Sequence, residues 1–401
     1  MNSKKYICLL SSFATLNSTY HLNKNLFNTI NKEFGKLYFI NTDNLKFFSK
    51  PKKYNFSEEL KNKPKNIVFF NPQNSKEFKN FIKDKVLIAI NNFGKSFVDF
   101  KVHMLVKNKN IIQIQIKNIG NFQMTHHVYI KHIFLTLKYL ILNRLFRKVT
   151  TILSILGIIN KFDITFISNK IITDSFNKNI FKKFLYKNKL LFTKQFCLVN
   201  SKFYDALEEL KKNLSNKYIV HLDYYLNYKD EIMLRGEMDP ASVKKHHECV
   251  SKFLLTTQKR LDKEVVICIH PLYPIEYFRN FYKDFRIIKY KTAEFIRDAN
   301  LVTFFNSSAI VNAILLRKKI IQLSSKYMDK NEQLQSNVYK IKLGLQKIEL
   351  DKFNEENFDS IYKKSYPNQD LLNNYISNFH ELNDGENGTS KIISTIKKRY
   401  F

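Results

Sequence analysis

The chain has 401 residues, a formal charge of +32, 44% hydrophobic residues, 8 Gly, 7 Pro and no Trp. That length suits two to three domains with their own cores, and the apolar fraction excludes an intrinsically disordered chain. The basic residues are spread along the chain without a block of five or six, which excludes the concentrated patch of a nucleic-acid protein and leaves a field that favours anionic membrane surfaces.

Taken in chain order, short β-branched runs alternate with helical stretches, the pattern of parallel sheets covered by helices. Strands are predicted over 6–10, 36–40, 66–70, 86–90, 97–105, 111–117 and 163–167. Residues 19–34 carry Leu22, Leu26, Phe27 and Ile30 at helical spacing, and 75–82 reads as a helix capped by Asn74 or Ser75. The second half is more regular, with strands over 196–200, 218–223, 264–270, 286–290, 301–305 and 319–323. Helices are predicted between them over 201–212, 241–261, 293–299 and 308–317, and Asp239-Pro240 opens the longest. The basic, weakly patterned stretch 169–194 marks a boundary: an N-terminal domain over 1–190, a second over 191–365, and helices with a tail over 366–401.

The amino terminus holds two lysines and about six apolar residues before polar serines, so it reads as a first strand rather than a signal peptide. No stretch reaches the roughly 20 apolar residues that span a bilayer. The nearest, 132–159, is interrupted by Lys138, Arg144, Arg147 and Lys148; it reads equally as a basic helix on a membrane surface or as a core-facing helix with solvated lysines. Cys8, Cys197, Cys249 and Cys268 form no CxxC pair, a reduced intracellular pattern. The expected location is cytoplasmic, with peripheral contact at the inner face of the membrane.

Ligands of open α/β sheets bind at the carboxyl ends of strands, so chemistry is expected there. Three features sit at such places. The apolar run 265–269 ends in His270-Pro271; proline stops the strand and leaves the imidazole at the sheet edge, able to donate to a phosphate or a leaving-group oxygen. Residues 301–305 end in Asn306-Ser307-Ser308 and an apolar helix, whose N-terminal amides and dipole suit an anion, while Ser or Asn there equally serves as a cap. Thr292 reads as a helix cap, with Glu294 in the first turn, where a carboxylate accepts from a ribose or base edge or simply complements the dipole.

The order of these three features, over about 217–325, resembles the C-terminal domain of GT-B glycosyltransferases. It is most similar to the bacterial sialyltransferase, polysialyltransferase and Kdo-transferase group, and to uncharacterised proteins of surface-polysaccharide clusters. The resemblance implies an α/β fold of two Rossmann-like domains facing across a cleft. It implies a nucleotide-sugar donor, CMP-linked in most of the group, as substrate, with no separate cofactor. It also implies transfer to a glycan or lipid-linked acceptor in capsule or lipopolysaccharide synthesis. It gives the phosphate to His270, Ser307 and Ser308 and a nucleotide contact to Glu294, with Pro271, Thr292 and Asn306 counted among the nucleotide-binding residues. The acidic-acidic-Gly motif that supplies the group's base is missing from the first half; Asp384-Gly385-Glu386 lies in a polar tail. Asp99, His21 and Asp223 are the candidate bases, and Asp223 is expected to point from the end of its strand toward the cleft.

No GxxxxGK[ST], GxGxxG or GxSxG motif is present, which removes P-loop, dinucleotide and serine-hydrolase readings. No Asp-x-Asp for a divalent ion stands out, so a metal-independent enzyme is expected. The adjacent pairs His126-His127 and His246-His247 make poor metal clamps, because helical neighbours diverge by about 100°, and they read as solvated helix faces. A nucleotide-sugar 2-epimerase and a non-catalytic protein of the same fold are the alternatives.

Overall fold

The computed structural model describes residues 5–11, 23–46, 66–92, 100–107, 110–117, 149, 152–154, 156–171, 174, 193–212, 214–224, 226, 239–270, 273–328, 337, 339–381 and 385–401. Pro271, His21, Asp99, His126, His127, Asp384 and most of the predicted helix 132–159 lie outside these residues. Of the described residues, 5–117, 149–202 and 385–401 form one compact unit and Phe203–Glu381 a second.

The first unit holds β1 (Lys5–Ser11), α1 (Lys24–Phe34), β2 (Leu37–Asn41), β3 (Ile67–Phe70), α2 (Ser75–Ile82), β4 (Val86–Asn92), α3 (Phe100–Leu105), β5 (Ile111–Lys117), β6 (Ile164–Ile167) and β7 (Phe196–Leu198). All strands are parallel, in the order β3-β2-β1-β4-β5-β6-β7, a doubly wound sheet. Strand alternation splits its core in two. Ile7, Leu9, Ile88 and Ile90 pack with Leu26, Phe27 and Ile30 of α1; Cys8, Leu10, Leu87 and Ala89 pack with Phe78, Ile82 and Val102 on the other face. The Asn74 side chain caps α2 by accepting from the Glu77 N–H at 2.9 Å.

Phe203–Glu381 holds α4 (Lys202–Asp205, shared with the boundary), α5 (Leu207–Lys211), β8 (Tyr218–Leu222), α6 (Pro240–Leu261), β9 (Glu264–Ile269), α7 (Ile275–Phe281), β10 (Arg286–Lys289), α8 (Thr292–Arg297), β11 (Ala299–Phe304), α9 (Ile310–Leu315), β12 (Lys319–Ser324), β13 (Gln346–Glu349), α10 (Phe358–Lys363) and α11 (Gln369–Phe379). These strands too are parallel, in the order β10-β9-β8-β11-β12-β13. One face packs Ile219, Val265, Ile267, Leu301 and Ile321 against Val243, Val250 and Phe253 of α6. The other packs Val220, Leu222, Val266, Cys268, Val302 and Phe304 against α8, α9 and α11. Asp239 caps α6 through the Ser242 N–H at 3.0 Å, ahead of Pro240 in the first turn.

A last helix, α12 (Gly388–Tyr400), returns to the first unit, where Ile392, Ile393, Ile396 and Tyr400 join the α1 side of the core. The Tyr400 hydroxyl donates to Asp163 Oδ2 at 2.5 Å. A Cβ on Gly388 would lie 2.4 Å from the Asn200 carbonyl oxygen, so the helix start touches backbone that only glycine admits.

The secondary structure departs from the sequence expectations at five elements. Residues 100–105 are helical, not extended: Val102 and Val106, both buried, share one face at a spacing of four, which an apolar run this short hides. Strand β7, read from the sequence with the second half, is the edge of the first sheet. Helix α7 follows Pro274, and strand β13 buries Ile348 alone; neither carries a periodic signal. The predicted helix 201–212 breaks at Ala206. Among the described residues, no helix is long and apolar enough to cross a membrane.

Candidate functional site

In the second sheet, strands β8, β9 and β10 run outward one way and β11, β12 and β13 the other, so the topological switch lies between β8 and β11. Ligands of such sheets bind outside the carboxyl ends at that point. The predicted residues stand at or beside it: Asp223 follows β8, Asn306-Ser307-Ser308 follow β11, and His270 follows the neighbouring β9. Strand β8 is hydrogen-bonded to both β9 and β11, so His270 and Ser307 leave strands about 10 Å apart.

Alternation then separates the candidates by face. Val266 and Cys268 face α8 and α9, and His270 continues that series; Ile219 and His221 face α6, and Asp223 continues the other. By that count His270 continues toward the face that carries α8, which Thr292 and Glu294 open, and α9, which the Ser307–Ser308 turn leads into, packs on the same face. A hydrogen bond between the buried Cys268 thiol, whose pKa burial raises to about 12, and the Thr292 hydroxyl ties α8 to this strand, and the Glu294 carboxylate lies near enough to act on the same thiol.

The His270 side chain is solvent-exposed, with Tyr273 beside it at 5.1 Å between ring centroids. Crowding by its surroundings, and then the Lys289 ammonium, lower its pKa from the ordinary imidazole value. Lys289 pairs in register with Ile269 and donates from Nζ to the Tyr273 carbonyl oxygen at 2.8 Å. This places a cation next to the imidazole. Lys289 has no distinctive sequence context, and only its register against β9 reveals it. Tyr290, the next residue, holds φ at +75°, a costly conformation for a bulky side chain that turns the chain sharply into α8.

Two helix starts differ from expectation. Thr292 is the first helical residue and not the cap; Lys291, whose side chain carries no acceptor, occupies that position without a side-chain bond. Helix α9 begins at Ile310, two residues later than predicted. Ser307 Oγ accepts from the Ala309 N–H at 3.3 Å, and the Ser307 and Ser308 carbonyl oxygens accept from the Ile310 and Val311 N–H groups at 3.2 and 3.3 Å. The turn thus uses Ser307 to order itself and leaves Ser308 exposed.

Asp223 does not point outward. Its side chain is fully buried, Oδ1 accepts from the Tyr224 N–H at 2.6 Å, and His221 Nε2 lies 3.5 Å away, an ion-pair distance too long for a good hydrogen bond. Burial raises its carboxyl pKa, but the His221 imidazole, the charge of His247 and the Tyr224 N–H outweigh that and hold it at about 2. A buried carboxylate of this kind is a poor base for an acceptor hydroxyl. His221 Nδ1 contacts Thr303 Oγ1 at 2.9 Å.

His246 and His247, expected on a solvated face, are 0% and 1% exposed. Val243, His246, His247, Val250, Phe253 and Leu254 recur at spacings of three and four, so the period that aims α6 at the sheet carries the histidines inward. His247 Nδ1 and Nε2 meet the Tyr282 and Tyr277 hydroxyls at 2.7 and 3.0 Å. Both ring nitrogens of His246 are buried without a hydrogen-bond partner. Among the described residues, no group of three or more His, Cys, Asp or Glu is placed to hold a metal ion.

No family model matches the sequence, and no curated protein does. Among solved structures, a histidine-to-alanine variant of the wall teichoic acid polymerase TagF is similar over 98% of this chain and 89% of its own, at 14% identity and a TM-score of 0.51. A histidine-to-asparagine variant of that polymerase matches over the same shares at 12% identity and a TM-score of 0.50. The UDP-GlcNAc 2-epimerase of Methanocaldococcus jannaschii matches over 98% of this chain and 99% of its own, at 14% identity and a TM-score of 0.45. With the two parallel sheets, the likeness to the polymerase shows an α/β fold of two Rossmann-like domains, of the GT-B type.

Proposed function

We propose that the chain is a glycosyltransferase that holds a nucleotide-sugar at the carboxyl edge of the second sheet and transfers its sugar to a glycan or lipid-linked acceptor. The observation that carries this reading is that His270, Lys289, the Thr292–Glu294 helix start and the Ser307–Ser308 turn all lie at the carboxyl ends of strands β9, β10 and β11, beside the topological switch. A fold shared with a wall teichoic acid polymerase supports it. Negative charge grows on the nucleotide phosphate as the sugar leaves. An imidazole N–H from His270, the Lys289 ammonium and the Ser308 hydroxyl are suited to stabilise it. Glu294, exposed in the first turn of α8, is assigned to the ribose or base. The buried Asp223 is left out of the machinery. The charge of +32 favours residence beside an anionic membrane at the cytoplasmic face, where lipid-linked acceptors stand.

The test is turnover of CMP-, UDP- and CDP-linked sugars by the wild type and His270→Ala, with and without lipid-linked acceptor. Loss of roughly a hundredfold or more in the variant is expected, the size seen when one donor to a developing charge is removed. Unchanged turnover sinks the assignment. Isomerised donor released without acceptor would instead assign an epimerase reaction to the same site.

A further inference from the structure

At the amino edge of the second sheet, opposite the strand ends described above, lies a cavity of 290 Å³. It forms where residues 214–216 enter β8, where Asn300 sits early in β11, and where Arg317, Lys318 and Lys319 join α9 to β12. Its position excludes it from the proposed transferase site, and its chemistry is different.

Three consecutive cations line it, and little neutralises them. Arg317 donates to Gln369 Oε1 at 2.6 Å and to Asn373 Oδ1 at 2.7 Å, two neutral oxygens on α11. The Lys319 ammonium sits 3.5 Å from the Tyr362 ring centroid and 5.3 Å from that of Tyr366, held by aromatic faces. Neither has a carboxylate partner among the described residues. Lys318 donates to the Ser215 carbonyl oxygen at 3.2 Å and feels Asp298, which is already bonded to Arg297 at 2.6 Å and to Ser215 at 2.9 Å.

The backbone gives an independent sign. Arg317 holds φ at +52° at the end of α9, where the Arg317 and Lys318 N–H groups close back on the Ile314 and Ala313 carbonyl oxygens at 3.1 and 3.0 Å. This closure favours glycine. The arginine there adopts a conformation its side chain disfavours, with its guanidinium fixed by two amide oxygens. Beside it Tyr366 leaves 55% of its surface exposed.

We propose that this cavity binds a small phosphomonoester, its dianion between Arg317 and Lys319 and its organic body on the Tyr366 ring. Arg317 and Lys319 both line the cavity, and a phosphate has oxygens enough to draw a planar fork and an ammonium from their neutral partners. The volume is at the lower end of ligand pockets, which selects a compact molecule over a polymer.

Phenyl phosphate is the probe, titrated by calorimetry into the full chain, with inorganic phosphate and phenol as separate arms. Wild type is expected to bind phenyl phosphate saturably, inorganic phosphate more weakly, and phenol not at all. Arg317→Gly, which suits the backbone and keeps the fold, and Lys319→Met should each weaken binding roughly tenfold. His270→Ala should leave it unchanged. Retained affinity in both charge variants, loss in His270→Ala, or no binding up to about 10 mM would overturn the proposal. Circular dichroism of each variant separates lost binding from lost fold.

Discussion

Replacing His246 by leucine should stabilise the protein, and more so in acid than at neutrality. His246 is fully buried, between Phe305 at 5.0 Å and His247 at 5.2 Å ring to ring, and neither nitrogen has a partner. Burial first, then the charge of His247, depress its pKa from 6.5 to about 3; His221 adds to this and Asp223 opposes it. At pH 7 the imidazole is neutral in both states, and the variant gains from removing unsatisfied polar atoms, about 1–3 kcal/mol less the lost ring contacts of about 1 kcal/mol. Below pH 6.5 the unfolded chain takes up a proton that the folded chain refuses until about pH 3, so stability falls as pH drops through this window. At pH 4.5, two units below the unfolded value, the wild type carries a further cost of about 3 kcal/mol that leucine lacks. Urea unfolding followed by circular dichroism at pH 7 and 4.5 measures this directly, the chain having no Trp for fluorescence. A variant that is less stable at pH 7, or whose advantage is the same at both pH values, would refute the reasoning.

Gly388→Ala should loosen α12, because the new Cβ meets the Asn200 carbonyl oxygen at 2.4 Å; a loss of about 1–3 kcal/mol, read as faster amide exchange in α12, is expected. Lys289→Met removes the cation beside His270 and should raise the imidazole pKa, followed by NMR titration of that ring, while weakening nucleotide-sugar binding roughly tenfold. A downward shift would show that the two side chains do not interact as described.

Much of the scaffold was legible because a parallel sheet buried on both faces needs near-continuous apolar strands. Residues 111–117 and 75–82 were read to the residue, and most other strand limits to within two. The reading failed where burial is one-sided or the element short. Strand β13 presents a single buried residue, and the run ending at Leu105 is apolar enough for either state. Strand β7 shows a different limit: three residues cannot state which sheet they extend, since that depends on a pairing with Thr165–Ile167 far back in the chain.

The site was half legible for a related reason. The rule that ligands meet carboxyl ends of strands located His270, Asp223 and Ser307 by position along the chain, but function also depends on which face of the sheet each side chain joins. Parity decides that, and it was available: His270 is two residues beyond Cys268 and four beyond Val266, in line with the face that carries α8 and α9. Asp223 is two beyond His221 and four beyond Ile219, in line with the face that α6 covers. The same count on α6 places His246 three residues after Val243, and so against that face rather than in water. The acidic residue nearest the switch point is thus enclosed by the helix that follows it, while the histidine one strand away stays accessible.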